Sequence, residues 1–169
     1  MKKALFFIPF LVLIFLGSFF YFNLDNNHEQ MPSALIGKAA PEFKLIDLET
    51  NEVMTQDQLP KGPYLINVWG TWCPACAQEH EYLMTLAERG VNIVGVDYKD
   101  EMKPALAWLE QRGNPYSTVI FDEMGSLGVD LGVTGAPETF VVNRDGVIVY
   151  RHQGVVNEDV WQSLKTFVE

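Results

Sequence analysis

The cysteine pair Cys73 and Cys76 is the part of this sequence best suited to chemistry. The chain contains no other cysteine, and a Cys-x-x-Cys dithiol can cycle between thiol and disulfide. The pair follows an apolar run and opens a predicted helix, so Cys73 should lie over unpaired backbone N–H groups at the positive end of the helix dipole. Pro74 suits a first helical turn, where an N–H is not needed. We therefore expect Cys73 at the exposed rim as the attacking thiol and Cys76 one turn deeper as the resolving thiol.

Other uses of a Cys-x-x-Cys pair fit this sequence less well. A structural zinc site needs a full set of Cys and His ligands, but no second pair exists and the histidines His28, His80 and His152 are scattered. A purely structural disulfide would close a very short loop and gain little chain entropy. A peroxidatic cysteine would have Thr three residues earlier, where Gly70 stands. A redox dithiol is the favoured interpretation.

The elements around the pair predict one compact α/β domain. Short apolar, β-branched runs predict strands at Tyr64–Trp69, 91–96, 118–121 and 139–142, a hairpin strand at 147–151 and a further hairpin within 43–53. Helical patterns occupy 73–88, closed by Gly90, then 103–111 with Asp100 as a cap and Gly113 behind it, and 158–167 capped by Asn157. This order predicts a thioredoxin-like fold, with a central mixed β-sheet flanked by helices.

The N-terminal segment predicts a membrane anchor. Residues 4–22 carry no charge and follow Lys2 and Lys3, and a helix of that length approaches the ~30 Å of a bilayer core. The run ends in bulky aromatic residues rather than a small-x-small cleavage site, so an uncleaved anchor is favoured over a signal peptide. The two lysines place the N-terminus in the cytoplasm. We predict residues 1–22 as the transmembrane anchor, 23–34 as a polar tether and 35–169 as the redox domain on the periplasmic side of a bacterial inner membrane.

Composition narrows the function classes. The 169 residues are 48% hydrophobic and 20% charged, as expected for one globular core with a short accessory segment. The formal net charge is -10, and it becomes more negative on the exported part once the two N-terminal lysines are set aside. An acidic surface of this kind argues against nucleic-acid binding.

Three motifs in order resemble a known family. WGTWCPACAQEH, GVDYKD and GVTGAPETF are similar to the thioredoxin-like thiol:disulfide interchange proteins of cytochrome c maturation, the DsbE or CcmG type. The resemblance implies an enzyme that keeps the haem-binding cysteines of apocytochrome c reduced, directly or through a thiol partner of the maturation machinery. It also implies re-reduction by a membrane protein of the DsbD or CcdA type. We expect the enzyme to work without a metal or cofactor.

The resemblance also implies roles for residues outside the dithiol. The family's cis-proline falls on Pro137, where the backbone of Gly135 and Ala136 would be free to pair with an extended substrate strand. Trp72 and Pro74, beside the first cysteine, would contact the partner.

The resemblance also implies that two acidic residues belong to the redox site. Glu79 and Glu138 match the family's acidic positions, and either could raise a thiol pKa and take its proton. The strand position that carries a buried acid in ordinary thioredoxins, six residues before the first cysteine, is Asn67. Because an amide does not exchange a proton at neutral pH, the relay must use Glu79, Glu138 or water.

Two alternatives to this function stay open at the level of sequence. The protein could be an extracytoplasmic thiol oxidoreductase of another pathway, or a non-enzymatic module that uses the dithiol to deliver a metal. The direction of the redox reaction depends on the relative stability of dithiol and disulfide, which the residues Pro74 and Ala75 do not reveal.

Overall fold

The computed structural model describes residues 8–23 and 34–168, with side chains described at 8–19 and 34–168. The chain divides into two compact units, Met1–Met31 and Pro32–Glu169. The first unit contains helix α1, Ile8–Asn23. Among the described residues, none of the helices combines the length and apolarity needed to cross a bilayer. The predicted span 4–22 begins with residues 4–7, which lie outside the described residues, so the anchor stays a prediction.

The second unit is built on one seven-stranded mixed sheet. Its strands are β1 Lys44–Asp47, β2 Val53–Thr55, β3 Tyr64–Trp69, β4 Ile93–Tyr98, β5 Thr118–Asp122, β6 Glu138–Val142 and β7 Ile148–Gln153. Their order across the sheet is β2-β1-β5-β4-β3-β6-β7. Strands β3, β4 and β5 are parallel, while β6 and β7 continue the sheet antiparallel on one side, and β1 and β2 do so on the other. The central strand β3 is buried along its whole length because both sheet faces are covered.

Helices α2 Pro74–Glu88 and α3 Met102–Arg112 connect the parallel strands, as the sequence predicts. A five-residue helix, α4 Ser126–Asp130, lies between β5 and β6, and α5 Glu158–Leu164 follows β7. Gly90 adopts positive φ just after α2, and the Asn157 side chain caps α5 by accepting a hydrogen bond from the Val160 N–H.

Some expected boundaries were wrong. The strand expected at 91–96 lies two residues later, and the α-helical part of 158–167 ends at Leu164 and continues as a 3₁₀ turn, Lys165–Phe167. Helix α4 was not predicted, because five residues carry too little periodicity. The expected cap Asp100 is also wrong: Glu101 is the N-cap of α3, because the Asp100 carboxylate binds the N–H and hydroxyl of Thr71.

The sheet separates two cores, and only one of them contains the cysteines. Helices α2, α3 and α5 cover one face, which we call the dithiol face; its buried residues include Leu65, Trp69, Cys73, Cys76, Leu83, Ala105, Leu109, Val119, Val141, Trp161 and Leu164. The opposite face packs Ile66, Val68, Val94, Val96, Ile120, Phe140 and Val142 against Leu127 and Leu131 at α4. Because side chains alternate along a strand, this division tells on which face each polar residue of the sheet lies.

Candidate active site

The cysteine pair lies at the N-terminus of α2, directly after the loop that follows β3. Cys73 is the N-cap residue, and its Sγ accepts a hydrogen bond from the Cys76 backbone N–H at 3.1 Å. Pro74 is the first residue of the helix. The two cysteines form a disulfide with their Cα atoms 5.3 Å apart. The predicted position of the first sulfur over the helix N-terminus is therefore present in the structure.

The expected exposure of Cys73 is wrong for the disulfide state. Cys73 is only 4% exposed and Cys76 2%, because both sulfurs turn towards each other and pack into the core of the dithiol face. The exposed groups around them are Pro74 and Trp72, the latter 50% exposed and fixed by a hydrogen bond from its Nε1 to the Tyr98 carbonyl. These two side chains are therefore the solvent-facing groups next to Cys73 in the chain.

The proline expected to be cis is cis. The Ala136–Pro137 bond has that geometry, and Pro137 is buried while Gly135 is exposed. Ala136 packs against the core cluster that contains both cysteines. The structure thus brings Ala136, the residue before the cis-proline, to the side of the sheet on which the disulfide lies.

Glu79 lies fully buried on the dithiol face, one helical turn after Cys76. Its Oε1 accepts a hydrogen bond from Asn67 Nδ2 at 2.8 Å, and its Oε2 accepts one from the Val156 N–H at 2.8 Å. Asn67 in turn accepts a hydrogen bond from the Tyr116 hydroxyl at 2.9 Å. The position that carries an acid in ordinary thioredoxins therefore holds an amide that orients the acid of the next helix.

Burial controls the proton affinity of this network. Loss of hydration raises the pKa of Glu79 to about 7, against the opposing effect of the hydrogen bonds from Val156 and Asn67. Burial, together with the negative charges of Glu79 and Asp97, raises the pKa of Tyr116 well above its usual value. Near neutral pH Glu79 can both accept and return a proton, whereas Tyr116 remains a hydrogen-bond donor.

The structure does not bring Glu138 together with Glu79. Glu138 pairs with Val68 in the sheet and shares the face of Phe140, opposite the dithiol face. Its Oε2 forms a buried ion pair with Arg151 at 2.7 Å. The expectation that Glu138 approaches the buried thiol is not met, because the strand alternation directs its side chain away from the cysteines.

Glu138 instead holds the loop that precedes the cis-proline. Its Oε1 accepts hydrogen bonds from the Thr134 N–H and hydroxyl at 2.8 and 2.7 Å and from the Gly135 N–H at 3.1 Å. Through these contacts Glu138 fixes the backbone of the loop at Thr134 and Gly135.

Sequence reasoning gave no role in the site to four polar residues of the domain: Asp97, which was seen only as part of the GVDYKD motif, Tyr116, Thr139 and Arg151. Each is buried, and Thr139 accepts a further hydrogen bond from Asn67 at 3.1 Å. A charged residue inside an otherwise apolar strand was the available signal for Asp97 in β4. Arg151 in β7 is followed by His152 and Gln153, so it did not stand out in this way. Tyr116 carried no such signal, since an aromatic residue before a strand is usually part of the hydrophobic core.

The fold and the disulfide at the start of α2 together define a thioredoxin-like thiol:disulfide oxidoreductase. Residues 35–166 match the redoxin family model. Thiol:disulfide interchange protein DsbE of Haemophilus influenzae is 48% identical over 98% of this chain and 94% of its own length, and DsbE of Escherichia coli is 43% identical over 96% and 91%. The chain therefore belongs to the redoxin family and, within it, to the DsbE-type thiol:disulfide interchange proteins.

Solved structures agree on the fold. The crystal structure of a putative DsbE from Chlorobium tepidum matches with a TM-score of 0.69 at 23% identity, covering 79% of this chain and 98% of that one. The thio-disulfide isomerase from Thermus thermophilus matches with a TM-score of 0.64 at 24% identity, covering 76% and 92%.

Replacing Glu79 by Gln should flatten the pH dependence of stability. The unfolded chain loses the Glu79 proton near pH 4.5 and the folded protein near pH 7, so in this window the folded state binds more protons. The free energy of unfolding should therefore fall as pH rises through the window, by on the order of 3 kcal/mol from Glu79. Urea unfolding of the oxidised protein across that range measures the slope.

The exposed Glu81, on the same helix, provides the matched control. Glu81→Gln should keep the wild-type slope, whereas Glu79→Gln should lose most of it. Equal slopes in wild type and Glu79→Gln would show that this carboxyl group does not titrate as its burial requires.

Proposed function

We propose that the protein is a membrane-anchored, periplasmic reductant of cytochrome c maturation that works through a dithiol–disulfide cycle of Cys73 and Cys76. The observation that carries this proposal is the Cys73 sulfur held at the N-terminus of α2 by the Cys76 N–H, in a chain whose relatives named DsbE match it along nearly its whole length. The assignment to cytochrome c maturation is drawn from the resemblance of the three motifs to that branch of the family.

The cycle follows from the geometry of the pair. In the reduced protein the Cys73 thiolate attacks a partner disulfide, which forms a mixed disulfide and releases the partner's other sulfur as a thiol after protonation. Cys76 then loses its proton and attacks Cys73 Sγ, which closes the protein disulfide and releases the second partner sulfur. Two electrons pass to the partner, and a membrane dithiol protein of the DsbD or CcdA type restores the reduced state.

The proposed roles of the surrounding residues follow their positions. Glu79 is the proton acceptor for Cys76, because it is the carboxyl group of α2 buried on the dithiol face and its pKa of about 7 suits transfer at neutral pH. Trp72 and Pro74 next to Cys73, together with Gly135 and Ala136, form the border that contacts the partner chain. Of these, Ala136 packs against the core cluster of both cysteines. Pro137 and Glu138 shape that border, the latter by holding Thr134 and Gly135.

The anchor is part of the proposal. Every described side chain of α1 is exposed, and the exposed residues include Leu13 and Phe15 on a helix without charged residues. An apolar helix with no polar face needs an apolar surrounding. We assign residues 4–22 to the lipid phase and the redox domain to the periplasm, consistent with the lysines that precede the helix.

The proposed function can be tested by measuring haem attachment to c-type cytochromes in a bacterium that lacks the gene for this protein. Full-length chain should restore covalent haem in c-type cytochromes, and a Cys73→Ala/Cys76→Ala variant should not. An added small-molecule thiol should restore haem attachment without the protein, because the missing activity is reduction. Restoration by an oxidant instead would assign the protein to an oxidising pathway.

The same cells test the anchor. After carbonate extraction the full-length protein should remain in the membrane pellet. A soluble mature chain that begins near residue 28 would contradict the anchor while leaving the redox assignment in place.

A further inference from the structure

Asp97 is a buried acid that the proposed cycle does not use. It lies near the end of β4, is fully buried, and neither of its carboxylate oxygens has a hydrogen-bond donor among the described residues. It shares a sheet face with Ile93 and Gly95, the face covered by α2. In the parallel pairing of β3 and β4 its register partner is Trp69, four residues before Cys73. A buried carboxylate without a partner is expensive, so the group must carry a proton or share one.

The neighbour with which Asp97 can share a proton is Asp100. The Asp100 side chain is close enough to hydrogen-bond to Asp97, and two carboxyl groups can do so only when one of them is protonated. Asp100 has fixed partners of its own, because its carboxylate binds the N–H and the hydroxyl of Thr71 and the N–H of Glu101. Thr71 stands two residues before Cys73 in the loop that leads from β3 into α2.

We propose that Asp97 is a positioning residue of the redox site: its protonated carboxyl group donates a hydrogen bond to Asp100, and Asp100 thereby holds Thr71 and the loop that carries Cys73. Loss of the Asp97 proton to solvent puts two negative charges side by side, and their repulsion loosens the Asp100–Thr71 contact. This inference rests on the proposed redox role of the cysteine pair.

The surrounding charges support a titration in the working range. Burial first, and then the charge and hydrogen bond of Asp100, raise the pKa of Asp97 to about 8. Glu79 from α2 and Tyr116, ahead of β5, are further titratable groups of this buried region. His80, also on α2, is buried, and burial lowers its pKa and so favours its neutral form. The register partners Trp69 in β3 and Phe121 in β5 carry no charge. Burial and the charge of Asp100 both disfavour the ionised form of Asp97.

This arrangement couples Asp97 to the reduced dithiol. A thiolate at Cys73 and an ionised Asp97 repel each other and act on the same loop, so the two groups should titrate as a pair. Cys73 is then most readily deprotonated while Asp97 keeps its proton.

The experiment uses the full-length reduced protein in detergent and the variant Asp97→Asn. The amide can still donate a hydrogen bond to Asp100 but cannot titrate. The rate of Cys73 alkylation is followed against pH, together with the ¹⁵N chemical shift of the Thr71 amide. In the wild type both signals should show two titration steps, one from the Cys73 thiol and one from Asp97. Asp97→Asn should lose the step near pH 8.

Asp122→Asn is the control. Asp122 is equally buried in the neighbouring strand but binds Ser126 and Gly128 near α4, so this variant should keep both steps.

Carboxyl ¹³C titration of the wild-type protein shows, without relying on a variant, whether an aspartate titrates together with the Thr71 amide. An aspartate resonance that titrates near pH 8 and moves with the Thr71 amide supports the proposal. It is overturned if every aspartate titrates below about pH 5, or if Asp97→Asn keeps both steps. A wild-type protein that exchanges no disulfides at all would be a failure of the proposed function, which this titration distinguishes.

Discussion

Cys73→Ala should reduce thiol–disulfide exchange to the background rate, whereas Cys76→Ala should accumulate a stable mixed disulfide with the partner. The reason is the asymmetry of the site. Cys73 Sγ accepts the Cys76 N–H at the first turn of α2, where the helix dipole favours a thiolate most strongly. Cys76 is inside the helix and buried beside Glu79. Removing Cys73 removes the nucleophile, while removing Cys76 leaves attack intact and blocks only resolution.

Non-reducing gels of cells that express each variant measure the covalent complexes, and mass spectrometry identifies the trapped partner. Apocytochrome c or a thiol protein of its maturation should appear with Cys76→Ala. Alkylation of the reduced wild-type protein provides the internal control, since Cys73 should react first. Faster modification of Cys76 would reverse the proposed roles, although the protein would remain an oxidoreductase.

The parts of the site that sequence could predict are those encoded locally. The apolar run of β3, the proline at the start of α2 and the two cysteines are neighbours in the chain, so their arrangement follows from helix and strand geometry. The Asn157 cap was predictable for the same reason. Pro137 was different: its cis bond came from the family resemblance, because X-Pro bonds in folded proteins are mostly trans.

The face of a buried strand was not predictable. Strand β6 is buried on both sides, so no alternation of polar and apolar residues shows which way Glu138 points. Its register with β3 decides this, by placing Glu138 opposite Val68 and Thr139 opposite Asn67. Glu138 therefore lies with Phe140, away from the disulfide, and this pairing joins segments about 70 residues apart in the chain.

The hydrogen-bond network of Glu79 was hidden for a related reason. Asn67 forms hydrogen bonds with Tyr116, 49 residues away in the chain, and with Glu79, 12 residues away. No local sequence pattern predicts contacts of this kind. The sequence showed an amide where an acid was expected, and only the fold shows that the acid comes from the next helix.

Arg151→Met should lower the free energy of unfolding by about 3–5 kcal/mol, the usual cost of removing one partner from a buried ion pair. Arg151 and Glu138 are 6% and 2% exposed at their side chains, and Nη2 lies 2.7 Å from Oε2. Without the guanidinium group, the Glu138 carboxylate keeps the donors of Thr134 and Gly135 but loses its counter-ion. Combining Arg151→Met with Glu138→Gln should recover part of the loss, because the amide oxygen can still accept from the loop and no buried charge remains.

The exposed ion pair of Arg89 and Glu158 is the matched control. Its atoms are 3.6 Å apart and its side chains 50% and 53% exposed, so Arg89→Met should cost less than about 1 kcal/mol. Urea unfolding of the oxidised proteins at neutral pH compares the variants. Because Glu138 fixes the loop before Pro137, Arg151→Met should also weaken the trapping of partners by Cys76→Ala, and Arg89→Met should not. If Arg151→Met costs no more than Arg89→Met, the buried pair does not stabilise this end of the sheet.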